Sequence, residues 1–240
     1  MYNTHPNFES PDDQVHIWRF IDFTKFVDIL ESSSLYFSRP DLLGDPFEGT
    51  YARLTIDNID KDPTLLPDQK QRAKYFFTNS SKNWKNTCFV NCWHINNYEP
   101  YSMWKTYTSN NQGVAIQSTF EKLKNCINDT TNVFIGKVKY IDYGKEEVPW
   151  GNAFLPLLHK RKNFEHESEL RAISFNLSTD PHNPPAGVYV KINLDILIEN
   201  IVVSPTSPSW FKDLVRAILK KFNVDKPVIN SQLDEKPIGL

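Results

Sequence analysis

The sequence predicts a single α+β domain with a mixed, largely antiparallel sheet and flanking helices. Short strands and helices alternate without an internal repeat, and several strands are too short or too alternating for a fully buried parallel sheet. At about 150 residues per domain, 240 residues correspond to one or two domains, and the composition does not require two. The chain is 40% apolar and 13% aromatic, so we expect a sizeable core.

The first half of the chain begins with a polar segment that contains two prolines. Residues 1–13 therefore predict a flexible N-terminal arm, which leaves the single domain at 14–240. Period-two and period-3.6 apolar patterns then predict the secondary structure. The predicted strands are 14–20, 35–38, 87–93 and 113–119, and the predicted helices are 22–34, 67–84 and 99–108.

The second half follows the same rules. We expect a helix at 120–127, one long strand at 132–143, a helical approach at 150–164, and strands that begin at 170, 188 and 200. The last helix, 208–222, has the clearest amphipathic pattern. Its predicted buried face consists of Trp210, Leu214, Ala217, Ile218 and Phe222.

Composition excludes several classes of function. A net charge of −2 argues against a general electrostatic grip on nucleic acid or on an anionic membrane. No apolar run is long enough for a membrane span, and the N-terminus does not resemble a signal peptide, so we expect a cytoplasmic protein. Cys88, Cys92 and Cys126 are expected to be reduced thiols, and we predict no metal site.

An acidic and basic segment, 159–171, is the densest group of candidate site residues. If 165–171 runs into a strand, then Glu165, Glu167, Glu169 and Arg171 share one face. Neighbouring carboxyls raise one another's proton affinity, so one of them can act as a base. The alternative is a solvated edge strand with weak ion pairs.

Two further groups of residues are candidates. The loop that contains Arg39, Asp45 and Glu48 is rich in proline and glycine, and it is either a ligand-binding loop or a simple turn. Trp104 and Tyr107 lie in an aromatic segment that either stacks on a planar ligand or packs in the core. Nucleophile motifs such as GxSxG and HExxH do not occur.

The ordered motifs DPFE, MWKxY, QGVAI and FxxExExR resemble the bacterial and phage family described as domain of unknown function 2971. The resemblance runs from about residue 15 to residue 210. The family description states no activity, so this resemblance alone does not imply a reaction.

The order of motifs also resembles, more distantly, that of ADP-ribosyltransferases. Those folds carry an early strand with Arg or His, a middle Ser/Thr strand and a late Glu-x-Glu. Here Arg19 or His16 stands on the early strand and Glu167-x-Glu169 comes late, whereas Asn91-Cys92-Trp93 replaces the middle motif.

This resemblance implies that NAD is the substrate. Glu169 would stabilise the transition state, and Glu167 would orient or deprotonate the acceptor. Arg19, His16 and Arg171 would contact NAD, together with the aromatic rings of Trp104 and Tyr107. Arg39, Asp45 and Glu48 would contact the acceptor substrate.

Three functions follow from these observations. The leading hypothesis is an NAD-dependent ADP-ribosyltransferase-like enzyme, a toxin or phage-defence effector that modifies a protein or nucleic-acid acceptor and has no membrane partner. The first alternative is a non-catalytic domain that binds a nucleotide or a protein. The second is a metal-dependent nuclease that uses Asp45, Glu48, Glu167 and Glu169.

Overall fold

A computed structural model describes residues 1–108, 111–150, 152–176, 180, 183–235 and 237, with the side chains of 78–84 left aside. The strands are β1 (Tyr2–Asn3), β2 (His16–Asp22), β3 (Ser34–Ser38), β4 (Cys88–Ile95), β5 (Gly113–Thr119), β6 (Val133–Lys137), β7 (Lys139–Ile141), β8 (His159–Arg161), β9 (Glu169–Phe175), β10 (Gly187–Lys191), β11 (Asn200–Val203) and β12 (Val228–Asn230).

The described part of the chain contains seven α-helices. They are α1 (Phe23–Ser32), α2 (Arg53–Lys61), α3 (Pro67–Lys85), α4 (Tyr101–Tyr107), α5 (Phe120–Asn125), α6 (Leu194–Leu197) and α7 (Ser209–Lys221). Short 3-10 helices occupy Pro40–Leu42, Leu155–Leu158, Lys162–Glu167 and Gln232–Asp234.

Ten strands form one sheet in the order β1-β6-β9-β4-β2-β5-β11-β12, with β3 joining β4 to β10. Among the described strands, pairing is antiparallel except for β1 with β6, β11 with β12, and β7 with β8 in a separate two-stranded sheet. The predicted α+β class with a largely antiparallel sheet is confirmed.

The two faces of the sheet are covered differently. One face carries the main core, into which α1, α5, α6 and α7 pack their apolar residues. On the other face, Met103 and Trp104 of α4 pack on β2 and β5. Leu157 and Leu158 pack beside them on β4 and β9. The gap between these two covers is where the candidate site lies.

Three predictions for the N-terminal and central parts of the chain need correction. The segment 1–13 does not stay apart from the sheet, because Tyr2–Asn3 pair with β6 and the terminal ammonium donates to the carbonyl of Asp129 at 2.6 Å. The long strand expected at 132–143 is divided into β6 and β7, which belong to different sheets. The helical approach at 150–164 is a 3-10 turn followed by the short strand β8.

The buried face of α7 was also predicted wrongly. Phe211, Val215 and Leu219 are its buried residues, whereas Trp210 is 53% exposed. The adjacent stripe of Leu214, Ile218 and Phe222 is partly buried against the same core. No helix in the described part of the chain is both long and apolar enough to cross a membrane.

Candidate active site

The sheet divides at β4. One edge of β4 pairs with β9 over seven residues, from Cys88 to His94. Along the other edge, the described pairings are two residues with β2, ending at Trp18 opposite His94, and one with β3, at Val90. Residues 91–93 lie between these two pairings, so the sheet opens at the segment that replaces the middle Ser/Thr motif.

Arg19 lies in this opening. Its Nη1 donates to the carbonyl oxygen of Cys92 at 2.6 Å, and its guanidinium carbon is 6.0 Å from the centre of the Trp93 ring. Burial lowers the pKa of Arg19, while interactions with Cys92 and Tyr107 oppose that shift. Its Nε is buried without a hydrogen-bond partner among the described residues, which is a costly state for a cationic donor.

A hydrogen-bonded pair forms the wall of the opening. The Trp93 indole Nε1 donates to Asn91 Oδ1 at 2.8 Å, and Asn91 Nδ2 donates to the carbonyl oxygen of Tyr36 at 2.9 Å. Asn91 therefore ties β4 to β3 through its side chain.

Arg171 anchors the acidic side of the site. Its Nη1 and Nη2 donate to the two carboxylate oxygens of Glu48 at 2.6 and 2.9 Å, and its Nε donates to Glu169 at 2.7 Å. A fourth bond goes to the carbonyl of Leu157 at 2.8 Å. The side chain is fully buried, so burial is compensated by charge pairing.

Lys160 joins the same cluster from β8. Its Nζ donates to Glu167 and to Glu169, the second at 2.5 Å, and lies 3.4 Å from Glu48. Opposite charges and hydrogen bonds raise the pKa of Lys160 despite its burial. Two cations thus face three buried carboxyls.

The two carboxyls of the Glu-x-Glu motif are in different states. Glu167 and Glu169 hydrogen-bond to one another. Burial and its neighbour Glu169 raise the pKa of Glu167 to about 7. Although burial alone would raise it, the pKa of Glu169 is held well below its usual range by Arg171, Lys160 and the bond from Glu167. Glu169 is therefore ionised at neutral pH, whereas Glu167 holds its proton to a higher pH than an ordinary glutamate.

Two tyrosines contact this pair. Tyr107, 41% exposed at the end of α4, hydrogen-bonds to Glu167, and burial together with the two glutamates raises its pKa. The Tyr140 hydroxyl accepts from the backbone N–H of Glu169 at 2.8 Å. Tyr107 is thus the group that joins the buried carboxyls to the surface.

The loop before α2 covers the cluster. Arg161 binds Asp45 at 2.8 Å, and its guanidinium lies 4.7 Å from the centre of the Phe47 ring. Gly44 and Gly49 bracket this segment with φ of +93° and +64°, which side-chain-bearing residues rarely adopt. These turns direct Glu48 inward to Arg171.

The predicted strand over 165–171 begins later than expected. Lys162–Glu167 form a 3-10 helix, and Ser168 turns the chain into β9 with φ 40° and ψ 54°. Glu165 is consequently exposed and does not share a face with Glu167 and Glu169. The edge-strand alternative is wrong, because β9 lies between β6 and β4 and its acidic residues are buried.

Several predicted residues lie away from an exposed ligand position. Arg171 is enclosed by its ion pairs with Glu48 and Glu169. Trp104 is a core residue, with its Nε1 bonded to Glu99 at 2.6 Å and its ring against Phe20. Arg39 pairs with Asp41 at 2.6 Å, outside the cluster.

His16 stands three residues before Arg19 on β2. Its ring is half-buried, and Nδ1 has no hydrogen-bond partner among the described residues.

Among the predicted site residues, the structure brings together Arg19, Tyr107, Glu48, Glu167 and Glu169 around Cys92, with Asp45 at the rim.

The sequence analysis included Lys160 and Arg161 in the candidate segment 159–171 but gave neither a role, and it missed Tyr140. The basic run 159–162 was a visible signal, yet nothing in its pattern showed that Lys160 turns inward while Lys162 stays exposed. Among the described residues, no group of three His, Cys, Asp or Glu side chains is arranged to hold a metal ion.

Comparison with protein families and known structures identifies two similarities. The model of a family described as "Protein of unknown function (DUF2971)" matches residues 103–149, which include the MWKxY and QGVAI motifs. The predicted family resemblance is confirmed over that segment. No curated protein sequence matches the chain.

Solved structures of DarT from Thermus sp. 2.9 are similar to this chain. The complex with carba-NAD+ gives a TM-score of 0.43 at 11% identity and covers 94% of this chain and 98% of that chain. The complex with ADP-ribosylated ssDNA gives a TM-score of 0.43 at 10% identity and covers 95% and 99%. At this degree of similarity, residue roles have to come from the geometry of this chain itself.

Proposed function

We propose that the protein is an NAD-dependent ADP-ribosyltransferase-like enzyme that transfers a glycosyl group from NAD. The observation that carries this proposal is the buried pair of Glu167 and Glu169, whose carboxylates both accept from Lys160 Nζ while Glu169 also accepts from Arg171. Tyr107 interacts with this pair and with Arg19, and it links the pair to the surface.

The charge states suit a glycosyl transfer. As the bond between the ribose carbon and nicotinamide breaks, its electron pair leaves with nicotinamide, and positive charge develops on the ribose. Glu169, held ionised by Arg171 and Lys160, stabilises that charge. Glu167 in its deprotonated form accepts the proton of the attacking acceptor, because its pKa lies near 7.

Arg19 is the candidate for binding the NAD diphosphate. Its buried Nε has no hydrogen-bond partner within the part of the chain that the structure describes, and an anionic ligand would supply an acceptor. Phosphate oxygens accept bidentate hydrogen bonds from arginine, and the indole of Trp93 fixes the plane of the group.

The enzyme would act as a toxin or phage-defence effector, and its acceptor would be a protein or a nucleic acid. Tyr98 and Tyr101 are 76% and 54% exposed on the approach to α4, whose last residue is Tyr107. Exposed rings beside a transfer site can stack on a base or pack on a peptide.

The test is incubation of the folded protein with labelled NAD and bacterial lysate. We expect nicotinamide release and transfer of label, both lost in Glu169→Gln. Glu165→Gln is the matched control, because Glu165 lies four residues before Glu169, on the 3-10 helix, and is exposed. Absence of both signals from the wild-type protein, or equal activity of Glu169→Gln, would overturn the proposal.

The non-catalytic alternative draws on the same exposed tyrosines and on the complete internal pairing of Arg171 and Glu169. It predicts that NAD raises the melting temperature without turnover, and that Glu169→Gln changes affinity alone. The nuclease alternative is not favoured, because each of the four carboxylates that would bind metal ions is already ion-paired with Lys160, Arg161 or Arg171.

A further inference from the structure

Lys160 has an unusual position for a lysine. It lies on the three-residue strand β8, which pairs with β7, and its side chain leaves that small sheet to enter the acidic cluster. The side chain is 8% exposed, and its Nζ lies 4.6 Å from the centre of the Phe164 ring. A lysine is rarely buried to this degree unless it is paired.

Lys160 bridges the two carboxyls of the Glu-x-Glu motif, because its Nζ donates to both Glu167 and Glu169. Arg171 donates to Glu169 but not to Glu167, so Lys160 is the one of these two cations that bonds to Glu167. Three carboxyls meet two cations, so one excess negative charge is buried when every carboxyl is ionised. A proton on Glu167 removes that excess charge.

We propose that Lys160 is a positioning residue that holds Glu167 and Glu169 in contact and sets the pH at which Glu167 becomes able to accept a proton. This inference deepens the proposed function, because it concerns the base of that same site. Without the ammonium, two adjoining buried carboxyls repel one another and retain their proton to higher pH.

The other groups that face the cluster do not compete with Lys160 for this role. Four of these neighbours are Tyr107 of α4, Tyr140 of β7, and His94 and Cys92 of β4. The others are Glu48 and Asp45 of the loop before α2, Arg161 of β8, His166 of the 3-10 helix and Arg171 of β9. Burial keeps the first four neutral at pH 7, since it raises the pKa of the tyrosines and of Cys92 and lowers that of His94. Arg161 is engaged by Asp45, and Arg171 by Glu48 and Glu169.

The test is a pH titration of the Glu167 carboxyl carbon by NMR in protein labelled with ¹³C-glutamate. The signal is assigned by its absence in Glu167→Gln. We expect a midpoint near 7 in the wild type and a rise of about one pH unit or more in Lys160→Gln. Lys160→Arg keeps the charge and should stay within about half a unit of wild type.

Lys162→Gln is the matched control, because Lys162 is two residues away, exposed and paired with Glu146. Its midpoint should equal that of the wild type. If Lys160→Gln alone does not fold, the titration is made on the double variant Lys160→Gln/Glu48→Gln, which removes one charge of each sign. The midpoint should still rise, since Lys160 bonds to Glu167 whereas Glu48 bonds to Arg171.

An unchanged or lowered midpoint in the folded neutral variant would overturn the inference. The titration requires no NAD, so its result is separate from the proposed function. In an active enzyme, the rising limb of kcat against pH should move with the NMR midpoint in Lys160→Gln, while KM for NAD changes little. If the protein does not turn over NAD but the midpoint of Glu167 still depends on Lys160, the proposed transferase function is refuted. The proposed role of Lys160 is then retained.

Discussion

Arg171 and Glu48 form a bidentate ion pair, at 2.6 and 2.9 Å, across 123 residues of sequence. The pair fixes the loop after Gly44 to the central strand β9 and presents Arg171 Nε to Glu169. Neither side chain is more than 1% exposed. The ion pair therefore belongs to both the core and the candidate active site.

Removal of this arginine should be severe. Arg171→Met leaves two buried carboxylates without their main partner, so we expect a loss of about 3 to 5 kcal/mol in the free energy of unfolding. Arg216→Met is the control, because that exposed arginine pairs with Asp213 on the surface and should cost less than about 0.5 kcal/mol. Urea denaturation measures both, and similar losses for the two variants would contradict this assignment.

Glu167 should make stability depend on pH in a definite direction. Its pKa is raised in the folded protein to about 7, so the folded state holds the proton that the unfolded state has already released. Stability from this group is complete below about pH 4.5 and falls as pH rises to about 7, by up to about 3 kcal/mol.

Glu167→Gln removes this dependence. Buried His94 and His159 have a lowered pKa and act in the opposite direction, so the informative quantity is the difference between variant and wild type. Thermal unfolding should show Glu167→Gln gaining stability relative to wild type between pH 5 and about pH 7.5. A difference that is flat over this range would exclude a raised pKa at Glu167.

Asn91 should be essential to the wall of the opening. Asn91→Ala leaves the Trp93 indole N–H and the Tyr36 carbonyl without their buried partner. We expect a loss of about 2 to 4 kcal/mol by chemical denaturation, at about 1 to 3 kcal/mol for each unsatisfied group. Asn3→Ala, at an exposed pair with Asn132, should change stability by less than about 0.5 kcal/mol.

Glu99 should hold the C-terminal segment against α4. Its carboxylate accepts from Trp104 Nε1 at 2.6 Å, from Ser231 Oγ at 2.5 Å and from the backbone N–H of Gln232 at 2.9 Å. In Glu99→Ala, amide hydrogen exchange at Gln232 and its neighbours should become faster, while exchange in β5 is unchanged. Unaltered exchange at Gln232 would show that the segment is held by other contacts.

Much of the fold could be predicted because local patterns agree with tertiary packing. The bounds of β5 and α1 were predicted to within two residues, because both elements bury apolar residues in the main core. The face of α7 could not be chosen in the same way. Its two apolar stripes adjoin one another, and the choice of Phe211 over Trp210 depends on the strands beneath, which the helix sequence does not encode.

The candidate site was predicted in part for a similar reason. Glu167 and Glu169 were found through their spacing, but their contact depends on the left-handed conformation of Ser168, which a strand pattern does not indicate. Lys160 comes from β8 and Glu48 from the loop before α2, and both join the same cluster of ion pairs. Contacts of this kind are set by topology, and neighbouring residues in the sequence carry little information about them.

The most direct test of the central claim is a crystal structure of the protein with an NAD analogue that cannot be cleaved. We predict that the diphosphate contacts Arg19 and that the nicotinamide ribose lies between Tyr107 and the carboxyls of Glu167 and Glu169. An analogue bound in the surface groove between Arg216 and Val228, or no binding at millimolar concentration, would contradict the account.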